Sequence, residues 1–130
     1  MATKRLYALA LGILIAIPVV AQTSKTPQAG QSAQRSQRAR FAGKWEVGTG
    51  MGNSTFYITL DSDGTATKSM GSGNGKWEVV GEEARISWED GWHDVIRRAG
   101  NRYEKVAYAP GQSFNESPNN ITSARRMEPM

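Results

Sequence analysis

From Phe41 onward, apolar and polar residues alternate with a period of two. Trp45 and Val47 share one face of a strand. Phe56, Ile58 and Leu60 share one face of the next, with Tyr57 and Thr59 opposite. Trp77 and Val79 alternate with Lys76 and Glu78, and Ala84, Ile86 and Trp88 alternate with Arg85 and Ser87. Alternation of this kind sets apolar groups against a core and polar groups toward water. Asp63-Gly64, Asp90-Gly91, Gly100-Asn101 and the glycine-rich stretch 71–75 separate the runs. They carry hairpin chemistry, because glycine takes positive φ freely and Asp and Asn tolerate it better than most. The pattern predicts strands near 43–48, 54–61, 64–69, 75–80, 83–88, 92–98, 102–108 and 121–127. No segment of ten or more residues in this region shows a helical stripe. Eight short sequential strands predict an all-β fold, a small antiparallel up-and-down meander closed or nearly closed into a barrel, since closure removes exposed edges.

The first forty residues read differently. Lys4 and Arg5 precede an apolar run of 15 residues from Leu6 to Val20, and Val19-Val20-Ala21 ends it with small residues. A spanning helix needs roughly 20 apolar residues. The run is therefore read as a signal peptide over 1–21, cleaved near Ala21, giving a secreted or periplasmic chain with no membrane span in its mature form. Residues 22–40 are rich in Gln, Ser, Ala and Thr. They hold Lys25, Arg35, Arg38 and Arg40, no acid, and no apolar residue larger than alanine. Nothing there buries enough surface to offset ordering, so the segment is read as a disordered basic linker. The remainder, residues 41–127, is read as the one folded domain.

Charge and composition narrow the partners. The 130-residue chain carries a net charge of +4, but residues 1–40 hold six basic residues and no acid. Residues 41–130 hold ten basic and twelve acidic residues, which leaves the domain at −2. Its surface is not that of a specific nucleic-acid binder. A weak polyanion contact is expected only through the 22–40 linker. The chain has no cysteine, so disulfides, thiolate metal sites and thiol catalysis are excluded. No cofactor and no metal site are expected from the sequence.

An internal echo runs through the domain. Gly43-Lys44-Trp45-Glu46-Val47 recurs as Gly75-Lys76-Trp77-Glu78-Val79. Beyond a four-residue gap, Tyr57–Asp61 then aligns with Arg85–Glu89, and both stretches run into Asp-Gly. The echo is either a duplicated three-strand unit or convergence on the same meander grammar. A duplication requires Trp45 and Trp77 on the same face of the sheet.

Candidate chemistry is sparse. The loop 48–53 is glycine-rich but lacks the Lys-Ser/Thr ending and βαβ setting of a phosphate loop. It is read as a hairpin loop at a barrel mouth, with Met51 and Asn53 as candidate contacts. Leu60–Thr65 lacks the ligand set of a calcium loop and reads as a turn. His93 is the single histidine, with Asp94 and Glu89 nearby. Neighbours in a strand face opposite ways, so His93 and Asp94 do not form a natural catalytic pair, and no catalytic residue is assigned. Trp88 continues the Ala84/Ile86 face and is read as core. Trp92 is either core or a stacking platform. In the longest loop, 109–120, Phe114 either caps the barrel or touches a partner.

Gly43-x-Trp45 at the start of the first strand and Arg125 or Arg126 in the last resemble the lipocalin-like (calycin-type) barrels. The resemblance implies that Trp45 closes one end of the barrel with an arginine from the last strand over it, in a cation–π contact. Trp45, Trp77, Trp88, Arg125 and Arg126 are thus the expected barrel-closing core. The interior is expected either to be filled by side chains or to enclose a ligand cavity. The leading functional expectation is an exported, non-catalytic binding or interaction module. Its partner would be a small molecule or an envelope or extracellular protein, met by Met51, Asn53, Trp92, His93 and Phe114. The alternative is a protein inhibitor of an exported hydrolase acting through the N-terminal tether, as the resemblance to small barrel inhibitors implies. A hydrolase using His93 with Asp94 or Glu89 is third.

Overall fold

The computed structural model describes residues 28–128. The expected signal peptide and residues 22–27 lie outside the described residues. One helix, α1 (Gln28–Phe41), precedes eight strands: β1 (Gly43–Gly48), β2 (Thr55–Leu60), β3 (Thr65–Lys68), β4 (Asn74–Val80), β5 (Glu83–Trp88), β6 (His93–Ala99), β7 (Arg102–Tyr108) and β8 (Asn120–Met127). Each strand pairs antiparallel with the next, and β8 returns to β1 to close the barrel in simple sequential order. Every strand end falls within one residue of its position in the hydrophobic pattern. The period-two signal is this legible because each strand has one face in the core and the other mostly in water.

Residues 28–40, expected to continue the linker, form most of α1 instead. Their lack of apolar surface argues against a core element, but Ala, Gln and Arg are good helix formers. The helix also ends in an anchor, Phe41, which is 1% exposed in the barrel core. The chain divides between Ala33 and Gln34, so the barrel unit takes about the last two turns of α1 with it.

The helix end shuts one end of the barrel. Trp45 is fully buried and its indole donates to Phe41 O at 2.8 Å. Phe41, Trp45 and Tyr103 form an aromatic cluster, with Trp45 and Tyr103 edge to face at 5.0 Å. Arg126 lies 5.8 Å over the Trp45 ring and donates to the carbonyls of Ala39, Arg40 and Ala42. A guanidinium placed there satisfies the open carbonyls of a helix C-terminus and opposes its negative dipole end. Arg125, the adjacent residue, points outward. Its side chain is 67% exposed and pairs with Glu46 at 2.7 Å. Of the two arginines grouped as barrel-closing, only Arg126 occupies the closure.

The echo in the sequence has a structural counterpart. Trp45 and Trp77 both face the interior, and each sits opposite an isoleucine of the following strand, Ile58 and Ile86 respectively. Each indole also donates to a main-chain carbonyl, Trp77 to Asp61 O at 2.7 Å, and each lies under an arginine, Arg38 covering Trp77 at 5.1 Å. The glycines two residues before these tryptophans are each constrained, Gly43 by its backbone conformation and Gly75 by close approach. Gly43 has φ +128° with Arg126 alongside, and a Cβ on Gly75 would lie 2.6 Å from the Trp88 ring.

The interior from this end upward is filled by Trp45, Ile58, Leu60, Trp77, Ile86 and Ile96. A second apolar cluster lies outside the wall. Val95, Val106 and Tyr108 face outward from β6 and β7, and the 109–119 loop folds back over them with Phe114.

Candidate functional site

The up-and-down order puts the β1–β2, β3–β4, β5–β6 and β7–β8 connections at the end opposite the helix. These include all three loops singled out in the sequence. Between them a cavity of about 560 Å³ opens into the barrel, lined by residues from each of the four connections. That volume lies within the range of small-molecule sites.

The loops are built by local hydrogen bonds. Thr49 N donates to Ser54 O at 3.0 Å, and the Thr49 and Ser54 hydroxyls bond to each other, which pins the glycine-rich loop beneath Met51. In the Asp-Gly hairpin, Gly91 N donates to Trp88 O at 3.0 Å and Trp92 N to the Asp90 carboxylate at 3.0 Å. Asp90 in turn holds Lys68 at 2.9 Å, and Lys68 lies 4.6 Å over the Trp88 ring. Burial works against ionised Asp90, but the hydrogen bonds from Lys68 and Trp92 N outweigh it and hold this carboxyl below its ordinary range.

Two charged side chains reach the floor of the cavity from interior strand positions. Asp94 on β6 is 4% exposed and Lys105 on β7 is 3% exposed. Asp94 accepts from the Trp88 indole at 2.7 Å. Lys105 donates to Gly48 O at 2.8 Å and lies 4.9 Å over the Phe56 ring. Burial pushes the Asp94 carboxyl up, with Lys105 and the Trp88 hydrogen bond pulling the other way. Burial pushes the Lys105 ammonium down, and Asp94 opposes that shift. The two attract at a distance without touching. The ion pairs among the described residues are Lys68–Asp90, Arg85–Glu83, Arg97–Glu104 and Arg125–Glu46. Asn120 joins the same cavity from β8, and its Oδ1 is buried without a hydrogen-bond partner among the described residues. The rim is softer: Met51 is 74% exposed, Met70 43%, and the half-buried Trp92 packs on the inner core while facing the cavity.

The residues singled out in the sequence divide among three places. Met51 and Trp92 line the cavity. Asn53 sits on the outer side of the β1–β2 loop, in a groove with Thr55 and Ser123. His93 and Phe114 meet on the outside of the barrel, ring centroids 5.2 Å apart, with Arg85 over Phe114 at 4.9 Å. Asp94 points inward, so His93 and Asp94 lie on opposite faces of one strand. Sequence reasoning considered Asp94 only as a partner for His93, and it passed over Lys105, Lys68 and Asn120. Asp94 shares a face with Ile96, and Lys105 shares one with Tyr103 and Ala107, but Val95-Ile96 and Val106-Ala107 are apolar on both faces, so alternation alone does not tell which face is inner. Among the described residues no group of three His, Asp or Glu converges as a metal site.

The fold and site define an eight-stranded antiparallel barrel, closed at one end by an aromatic–arginine corner and open at the other over a charged floor. No protein-family model matches the chain, and neither a curated protein nor a solved structure matches it.

Proposed function

We propose that this protein is an exported, lipocalin-like binding module that takes a small molecule into the loop-end cavity without transforming it. The carrying observation is the floor: two oppositely charged side chains, nearly fully buried, unpaired with each other and facing a cavity of ligand size. Burying separated charges costs stability that apolar residues at the same positions would not cost. Such groups cluster where a protein must recognise something polar. The Gly-x-Trp opening and the Arg126 closure support the lipocalin-like reading, and the apolar N-terminal run supports export. The inhibitor reading draws less support, because an extended trunk would have to come from a segment whose residues from Gln28 onward are helical.

The test is a plug. Ala107 lies on the cavity floor and is 3% exposed. A panel of polar and amphiphilic small molecules is screened by tryptophan emission and thermal shift against the wild type and Ala107→Trp. The reading expects at least one compound class to shift the wild type and leave the plugged variant unmoved. Equal responses of the two proteins, or none in the wild type, would refute it.

A further inference from the structure

The cavity's unused hydrogen-bonding capacity has a definite chemical signature. On the inner face Asp94 is the direct cross-strand partner of Ala107, and Ala107 is the partner of Asn120. The small residue between them leaves a step flanked by Asp94 and by Asn120, whose buried Oδ1 has no hydrogen-bond partner among the described residues. A carboxylate has about four acceptor positions, and among the described residues the Trp88 indole takes one. One residue pair deeper on β7, Lys105 places its ammonium across the barrel at Gly48 O. That bond uses one of its three N–H donors. Lys68 and Asp90 neutralise each other at the rim, so Asp94 and Lys105 give the cavity one negative and one positive group and no net charge.

A ligand of a single charge would pair with one of these groups and leave the other buried and uncompensated, which is costly. A zwitterion compensates both. The negative side asks for N–H donors, one toward Asp94 and another toward Asn120, which a primary ammonium has and a quaternary one lacks. The positive side asks for an anionic acceptor. Above them the walls are apolar and adaptable: Trp92, with the thioethers of Met51 and Met70 at the rim. We infer that the cavity binds a small amino-carboxylate zwitterion, its primary ammonium between Asp94 and Asn120, its carboxylate on Lys105, and an apolar side chain against Trp92 and the two methionines. This inference rests on the proposed use of the cavity as the binding site.

Isothermal titration of the intact domain with a leucine series tests it, and the series needs no variant. Leucine and leucyl-leucine carry both charges, N-acetyl-leucine only the negative one, leucinamide only the positive one, and N-acetyl-leucinamide neither. N,N,N-Trimethyl-leucine keeps both charges and loses the N–H donors. The expected result is that leucine or leucyl-leucine binds at least tenfold tighter than each of the other four. The tighter of the two tells whether a free amino acid or a peptide with separated ends is the source. In Asp94→Asn the preference for leucine over N-acetyl-leucine should disappear, and in Lys105→Met the preference for leucine over leucinamide. If a singly charged or trimethylated form binds as tightly as the zwitterions, the inference is overturned. If the whole series is silent while another molecule binds the wild type and is blocked by Ala107→Trp, the ligand class is wrong and the cavity reading survives. If nothing binds at all, both fall.

Discussion

Arg125 and Arg126 are neighbours in β8 with opposite assignments, which makes a controlled comparison. Arg126→Ala removes three charge-assisted hydrogen bonds to the carbonyls of Ala39, Arg40 and Ala42, together with the guanidinium over Trp45 at 5.8 Å. Hydrogen bonds involving a charged group contribute about 1.5–3 kcal/mol when shielded and less when wet, and a cation–π contact adds about 0.5–1 kcal/mol. The bonds to Ala39 and Arg40 are exposed and that to Ala42 is half-buried, so the total should be about 2–4 kcal/mol. Arg125→Ala removes a single ion pair with Glu46 from a side chain that is 67% exposed, worth about 0.2–1 kcal/mol. For a domain of this size 1 kcal/mol moves Tm by roughly 4–8 °C. Calorimetry should therefore separate the two variants by at least about 4 °C, with Arg126→Ala the less stable. Amide exchange at Arg38–Ala42 should rise in Arg126→Ala alone, because the helix end loses its cap. Arg126→Lys should recover only part of the loss, since an ammonium lacks the planar five-donor fork of a guanidinium. Equal losses at the two positions, or a loss below about 1 kcal/mol at Arg126, would refute the closure described above.

Gly75→Ala would normally be a mild gain in a strand. Here the added Cβ meets Ser87 O at 2.5 Å and the Trp88 ring at 2.6 Å, so urea unfolding should show a loss of about 1–3 kcal/mol. Phe114→Ala uncovers Val95 and Val106 on the outer wall. It should cost about 1–3 kcal/mol and raise binding of a hydrophobic dye without altering the cavity's ligand response. Asp94 supplies a pH signature. Its carboxyl is raised above the ordinary 3.8 by burial, so the folded state holds the proton longer than the unfolded one. The wild type therefore loses stability as pH rises from 3.8 toward the folded value. Asp94→Asn has no such loss. The stability of Asp94→Asn relative to wild type should thus climb as pH rises from 3 toward neutrality, measured by urea unfolding at fixed ionic strength. A flat or falling difference would contradict the burial of an ionisable Asp94.

The strands were legible because a small barrel with one wet face writes its period directly into the sequence. Trp45, Val47, Phe56, Ile58 and Leu60 all stand where the alternation puts them. Three features escaped for physical reasons. The segment 28–40 reads as a linker by composition, yet its helix is held from outside itself, by Phe41 in the core and by Arg126, which lies far along the chain. The outer cluster breaks the one-sided rule, since Val95-Ile96 and Val106-Ala107 are apolar on both faces. Continuous apolar runs of this sort signal a strand covered on both sides, and the long loop with Phe114 is what covers it. The cavity floor was hidden for the opposite reason. Asp94 and Lys105 look like ordinary surface charges until the register of β6 and β7 turns them inward.

The most direct test of the central claim, that ligand enters at the loop end and meets the charged floor, is a map of backbone amide shifts during titration with the tightest-binding member of the small-molecule panel. Shifts should concentrate in residues 49–53, 69–71, 89–94, 105–107 and 119–120, with the amides of Phe41, Trp45 and Tyr103 at the closed end unmoved. Shifts gathered around Val95, Tyr108 and Phe114 on the outer wall, or around α1, would contradict it.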